Sequence, residues 1–259
     1  MTATSKAKRG QRVQLQNIAF RGASGLAPEN TLRACDMALR KGATVVDVNV
    51  RLSADGYPVL FHDEEVSRKT NGRGPIAKLK LKDIRKLRIS GGRGRRVYEE
   101  PVSTLEEAIL LTRGRGDLAL ELMGEEDTHP GIVETVIALI KKYELPDSTT
   151  VLTSSSRMLR DLRSFRPTFR LGRVLGVRDG FQKATEAIRE RPNVLMLHRG
   201  AASPKVLAQC REARVKCWIY TIEHQKEFQR ALSLRPEGVM PAHPGRIRRL
   251  MEREASGAS

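Results

Sequence analysis

A chain of 259 residues is long enough to bury one sizeable core and too short for two full α/β domains. Its 47 basic against 30 acidic residues leave a formal charge of +17 and a pI near 10.3, a balance that favours polyanionic partners and says nothing about fold. No apolar run approaches the roughly 18 residues of a membrane span, the N-terminal stretch lacks the apolar core of a secretory leader, and Cys35, Cys210 and Cys217 form an odd set without Cys-x-x-Cys. A cytoplasmic protein with neither a disulfide framework nor a structural zinc is therefore expected.

Residues 1–14 read as a basic disordered tail. From there short β-branched runs alternate with amphipathic helical stretches. Strands are predicted at Asn17–Phe20, Thr44–Val50, Asp117–Leu122, Thr149–Thr153, Phe169–Leu175, Val194–Leu197, Val215–Thr221 and Gly238–Met240. Helices fit between them at Asn30–Lys41, Thr104–Thr112, Gly131–Tyr143, Ser156–Ser164, Gly180–Arg189, Pro204–Ala213, Gln225–Leu232 and Gly245–Glu254. Asn30 or Thr31 is placed to cap the first helix, Ser103 or Thr104 with Glu107 resembles a capping box, and Ser203-Pro204 is a cap followed by Pro at the first helical position. Eight strand-helix pairs are the arithmetic of an α/β fold closed as a (β/α)₈ TIM barrel, one domain over residues 15–254 with a short disordered end at 255–259. One stretch, about 62–98, breaks the alternation. It follows a second extended run, Tyr57–Phe61, contains NGRG, GGRGRR and a charged helical piece at Leu81–Leu87, and reads as a basic insertion between the second strand and the second helix.

The run IAFRGASGLAPENTL, followed by VVDVNVRLSADGYPVLFHDEE, resembles the glycerophosphodiester phosphodiesterase family. Arg21, Gly22, Pro28, Glu29, Asn30, Thr31, His62 and Asp63 match that family's motifs, and weaker similarity runs through CWIYTIE (217–223) to EGVMPAHP (237–244). The resemblance implies a barrel in which two histidines act as acid and base around a phosphodiester held on a divalent metal, Mg²⁺ or Ca²⁺, and in which the insertion leans over the catalytic mouth. It places His62 as catalytic residue, Arg21 on the phosphate, and Asp47, Asn49 and Glu121 at the metal. Four positions depart from the pattern. Phe20 stands in place of the first histidine, Asp47 in place of a metal-binding Glu, Asn49 in place of a metal-binding Asp, and Met123 in place of a phosphate-facing Lys.

Phenylalanine moves no proton, and loss of one positioned acid or base costs about 10² to 10⁴ in rate. Asn49 exchanges a carboxylate for a neutral amide, and a hard cation is held largely by ligand charge and oxygen geometry. The resemblance with these changes implies weak or absent hydrolysis of glycerophosphodiesters over a retained anion-binding mouth. An active phosphoric diester hydrolase with a modified site is the alternative. Read without the resemblance, Phe20 is also a strand-end core residue, and Asp47 with Asn49 a polar pair satisfying buried backbone. Glu121 lies opposite Leu120 and Leu122 in LALELMG and faces the interior, where a metal or Arg21 would partner it. His198, in an His-Arg-Gly-Ala that echoes Phe20-Arg21-Gly22-Ala23, is a candidate substitute proton carrier, though an Arg/Gly/Ala-rich chain also produces such an echo by chance. His224 and His243 read as helix-start residues.

The charge is clustered. Residues 68–96 hold twelve basic side chains against the single acid Asp83, and Arg157, Arg160, Arg163, Arg166, Arg170 and Arg173 step every three or four residues. Besides a phosphodiester or other small anion, these stretches, Arg68–Arg96 and Arg157–Arg173, suit nucleic acid or an anionic membrane surface. A surface charged only for solubility is the other reading.

Overall fold

The run VVDVNVRL (45–52) is buried at every position, as a strand covered on both faces must be. Val46, Val48 and Val50 pack outward, while Asp47 and Asn49 alternate to the opposite face. The computed structural model describes residues 15–93, 96–124 and 129–256, apart from the side chains of 91–98 and 255.

In chain order β1 (Gln16–Ala19), α1 (Leu32–Arg40), β2 (Val45–Leu52) and β3 (Pro58–Leu60) lead into two 3-10 turns, Val66–Arg68 and Ile76–Lys78. A short α2 (Leu81–Ile84) and a hairpin of β4 (Arg88–Arg93) and β5 (Arg96–Pro101) follow. The remainder alternates regularly: α3 (Leu105–Thr112), β6 (Asp117–Leu122), α4 (Ile132–Lys142), β7 (Thr150–Thr153), α5 (Ser156–Ser164), β8 (Arg170–Leu175), α6 (Phe181–Arg189), β9 (Val194–His198), α7 (Pro204–Glu212), β10 (Lys216–Ile222), α8 (Gln225–Ser233), β11 (Gly238–Pro241) and α9 (Pro244–Ala255). Strands β2 and β6 through β11 pair in parallel sequence, and β1 pairs with both β2 and β11, which closes eight parallel strands into a (β/α)₈ barrel. β3 lies antiparallel on the far half of β2. Among the described residues no helix is long and apolar enough to cross a membrane.

The barrel interior is filled by Ile18, Val45, Ala119, Leu152, Met196 and Trp218 with their neighbours. Packing there is close: a Cβ at Gly172 would sit 2.3 Å from Leu152 Cδ2 and 3.1 Å from the Val194 carbonyl. Thr31 caps α1 by accepting the Ala34 amide, Thr104 and Glu107 form a capping box on α3, and Ser203 caps α7 ahead of Pro204.

Between β3 and α3 the chain builds a small core of its own from Val59, Phe61, Val66, Ile76, Ile84, Ile89 and Val102. One expectation needs correction here: the charged helical piece ends at Ile84 instead of Leu87. The Gly/Arg-rich stretch after it, for which no element was expected, is a hairpin in which Ile89 pairs with Glu100 and Gly91 with Tyr98. Glycine and arginine carry no strand signal, so the pairing is supplied by the partner strand and not by local propensity. The tails expected to be disordered (1–14 and, beyond Ser256, 257–259) and residues 94–95 of the basic stretch lie outside the described residues.

Trp218 is 1% exposed in the barrel interior. Trp218→Ala is expected to cost about 3–5 kcal/mol, read as a lowered urea midpoint by circular dichroism.

Candidate functional site

The C-terminal ends of the strands bring Phe20, Arg21, Asp47, Asn49, His62, Glu121 and Tyr220 to one mouth. Asn49 is its pivot. The backbone N–H of Asn49 donates to Asn30 Oδ1 at 2.9 Å, Asn30 Nδ2 donates to Asn49 Oδ1 at 3.0 Å, and Asn49 Nδ2 donates to Glu121 Oε2 at 2.7 Å. A backbone N–H is only ever a donor, so each amide in the chain has one permitted orientation. Asn49 consequently turns hydrogen, not oxygen, toward Glu121. Its Nδ2 also lies 3.5 Å from Met123 Sδ, a weak acceptor. Asn30 reaches this position with φ +58, a left-handed conformation that asparagine tolerates. Thr31 takes the capping role, which leaves the Asn30 side chain for the site.

Asp47 is fully buried on the same face of β2. Its Oδ2 accepts the Arg21 amide at 3.0 Å, while Oδ1 has no hydrogen-bond partner. Burial first, and then the neighbouring Glu121, pushes the Asp47 carboxyl up to about 7; burial also raises Glu121, against the pull of Arg21 and the Asn49 amide. Glu121 thus has two partners, the Asn49 amide by a hydrogen bond and Arg21 through its charge. Arg21 itself, at φ +50, sets its guanidinium 4.7 Å over the Phe20 ring and pairs with Glu29 at 3.1 Å. Its Nε is buried with no acceptor. Glu29 is shared with Lys69, at 3.2 Å, which arrives from the first 3-10 turn.

His62 Nδ1 lies 2.7 Å from Asp63 Oδ1, and Arg68 clamps Asp63 through Nε at 2.5 Å and Nη2 at 2.6 Å. A carboxylate only accepts, so Nδ1 carries the hydrogen and Nε2 is left as the basic nitrogen. Burial and then Arg21 lower the His62 pKa, with Asp63 opposing them. Arg51, one β-repeat beyond Asn49, donates to the His62 carbonyl at 2.9 Å and approaches His129 Nε2 at 3.2 Å. Sequence reasoning gave Arg51 no role and counted Arg68 and Lys69 only as members of the basic stretch. Only the alternation Asp47, Asn49, Arg51 along β2 signals the first of them.

Phe20 stacks on Tyr220 with centroids 5.9 Å apart, and the Tyr220 hydroxyl donates to the Leu175 carbonyl. His198 meets Tyr220 edge-on at 5.5 Å, and its Nδ1 accepts the Gly200 amide. Phe20 thus sits in an aromatic stack, with His198 at its edge. Ser154 is exposed at the end of β7.

The model of the glycerophosphoryl diester phosphodiesterase family matches residues 21–246. The chain belongs to this family. A glycerophosphodiester phosphodiesterase from Caldanaerobacter subterraneus subsp. tengcongensis is 28% identical over 232 residues, covering 88% of this chain and 93% of that protein. An Oleispira antarctica phosphodiesterase, solved with its product sn-glycerol-3-phosphate, superposes with a TM-score of 0.80 at 25% identity, over 92% of this chain and 96% of that one. Glycerophosphodiester phosphodiesterase from Agrobacterium tumefaciens str. C58 gives 0.74 at 25% identity, over 90% and 98%.

The divalent metal that the family resemblance implies meets a poor donor set in this member. Among the described residues no three His, Cys, Asp or Glu side chains gather at one point, and the third ligand position presents the Asn49 N–H. An oxygen-seeking cation needs lone pairs where this site has a hydrogen. Among the described residues, the three positions therefore offer a divalent cation two carboxylates and an amide hydrogen.

The raised Asp47 pKa has a readable consequence. A carboxyl whose folded-state pKa lies above its unfolded value stabilises the fold fully below the unfolded value, 3.8, and loses that contribution as pH rises through about 7. Urea unfolding at about pH 5 and pH 8 is expected to show a larger loss of stability for the native chain than for Asp47→Asn. Equal losses in the two would contradict the shift.

Proposed function

We propose that this glycerophosphodiester phosphodiesterase-family barrel binds a phosphodiester or phosphomonoester anion at its mouth and has lost metal-dependent hydrolysis. The carrying observation is the direction of the Asn49 amide, which satisfies Glu121 with a hydrogen where a cation would need an oxygen. The proton inventory agrees. Arg21 acts on the His62 imidazole, and Phe20 offers no proton to work opposite it. An anion is supported by the buried, unpaired Nε of Arg21 and by the sn-glycerol-3-phosphate bound in the Oleispira antarctica relative. Such a ligand would accept from Arg21 while Glu29 and Lys69 hold the guanidinium in place.

One observation favours a second reading, an active hydrolase using Asp47, Asn49 and Glu121 as a modified metal site. Asp47 Oδ1 is buried without a partner, as a ligand awaiting a cation would be. The two readings separate in assays with glycerophosphocholine and glycerophosphoethanolamine, with Mg²⁺ or Ca²⁺ against chelator. Under the first, turnover stays below about 1 s⁻¹, the low end of ordinary kcat values, and chelation changes nothing. Metal-stimulated turnover of several per second, abolished by Glu121→Ala and by His62→Ala, would establish the second.

A binding measurement tests the metal directly. Mg²⁺ or Ca²⁺ is expected to leave the melting temperature of the native chain unchanged. Asn49→Asp sets a third carboxylate against Asp47 and Glu121 and removes the amide donor, so in chelator it should lose about 1–3 kcal/mol and regain stability when the cation is added. With Phe20→His, Asp47→Glu and Met123→Lys combined with it, hydrolysis should appear.

A further inference from the structure

The apolar layer between strands and helices is broken at one side of the barrel. On β8, Leu171 belongs to the cluster under α4 and α5, and Leu175 to the cluster under α6 and α7. Between them, on the same outward face, stands Arg173, 3% exposed. Its guanidinium donates to the Thr153 carbonyl at 3.1 Å and to Ser156 Oγ at 3.3 Å, and pairs with Glu190 at 2.8 Å. Ser156 Oγ donates to the same carboxylate at 2.5 Å. Well-packed aliphatic side chains commonly give such a layer as much stability or more, so stability does not account for this cluster.

Above it, α5 and α6 leave a groove of about 460 Å³, and Arg160, Arg163, Arg189 and Arg191 line it together with Leu159. Arg163 is fixed by the carbonyls of Glu190 and Arg191, at 2.8 and 3.3 Å. The one acid of the lining, Glu190, is committed to Arg173 and Ser156. Among the described residues no carboxylate pairs with any of the four rim guanidiniums. A concave site with four uncompensated cations over a buried fifth asks for several negative charges in a small volume, in a form that accepts bidentate guanidinium contacts.

We propose that the groove between α5 and α6 binds a compact oligophosphate, either free inorganic triphosphate or the phosphate chain of a nucleotide. The volume is that of a small-molecule site, and no residue of it belongs to the mouth, so the proposal stands or falls separately from the function assigned there. Single-stranded nucleic acid is disfavoured because the lining holds no aromatic side chain on which a base would stack.

Isothermal titration of the full chain with inorganic triphosphate, ATP and a single-stranded RNA, at about 150 mM salt, tests this. Both phosphate compounds should bind. Equal affinities identify the phosphate chain alone as the ligand, and tighter ATP identifies the nucleotide. The double variant Arg160→Ser/Arg189→Ser should weaken binding about tenfold or more, whereas Arg249→Ser/Arg253→Ser, which removes the same charge from exposed positions of α9, should change it less than about twofold. Circular dichroism melts establish that both variants fold. Absence of binding, equal weakening by the two variants, or RNA binding that triphosphate does not displace would each overturn the proposal.

Discussion

The chemistry of the mouth is set by a single donor that cannot be reversed, the backbone N–H of Asn49. Because it donates, Asn30 must accept through its oxygen and donate through its nitrogen, and the relay ends with the Asn49 amide hydrogens on Glu121 and beside Met123. Asn49 and Met123 are therefore linked in physical terms. A thioether beside the amide takes its second hydrogen weakly, where an ammonium would have met it donor to donor. The relay also compensates a buried glutamate that would otherwise be costly, since each unpaired polar group in such a place forfeits its full hydration. What holds Glu121 in this barrel is an amide. The Glu-Asn-Thr of the first motif thereby acquires divided duties: Glu29 steadies Arg21, Asn30 orients Asn49, and Thr31 caps the helix.

Around this pivot the charges are paired in short circuits. Arg21, Glu29 and Lys69 form one, and His62, Asp63 and Arg68 another. Both are closed by cations from the first 3-10 turn after β3, so the segment with its own small core is tied to the barrel by ion pairs at the mouth. Arg68 holds Asp63, whose pKa falls to about 2, and Asp63 holds the tautomer of His62. A positioned imidazole and a cation with an unpaired Nε donor therefore stand together at the mouth.

Much of the architecture was legible because strand periodicity and helix caps are local signals. The eight strand-helix pairs, Ser156–Ser164 to the residue, and the inward direction of Glu121 all follow from alternation and spacing. The hairpin of β4 and β5 does not, since its pairing is a tertiary event imposed on Gly and Arg. In the site, the motifs located the mouth but not the direction of its hydrogen bonds. Asn30 reads equally as a helix cap, and whether Asn49 offers oxygen or hydrogen depends on which backbone group lies opposite, a fact no residue type encodes. Arg51 and Lys69 escaped for a related reason: each is one cation among many until the fold sets it beside the His62 carbonyl or Glu29.

The excess of positive charge is not uniform in its physical role. In the mouth, arginine and lysine are spent on nearby carboxylates. Under α5 the stepped arginines divide: Arg173 turns inward to Glu190, and Arg160 and Arg163 face outward to a groove that Arg189 and Arg191 close from the other side. A solubilising surface would spread its charges to lower their mutual repulsion, which falls with distance and is screened beyond roughly 8 Å at physiological salt. Converging four guanidiniums on one concavity raises that repulsion, and fixing Arg163 on backbone carbonyls prevents it from swinging away. Side chains held together against their own repulsion describe a preorganised receptor for negative charge better than they describe a solvated face.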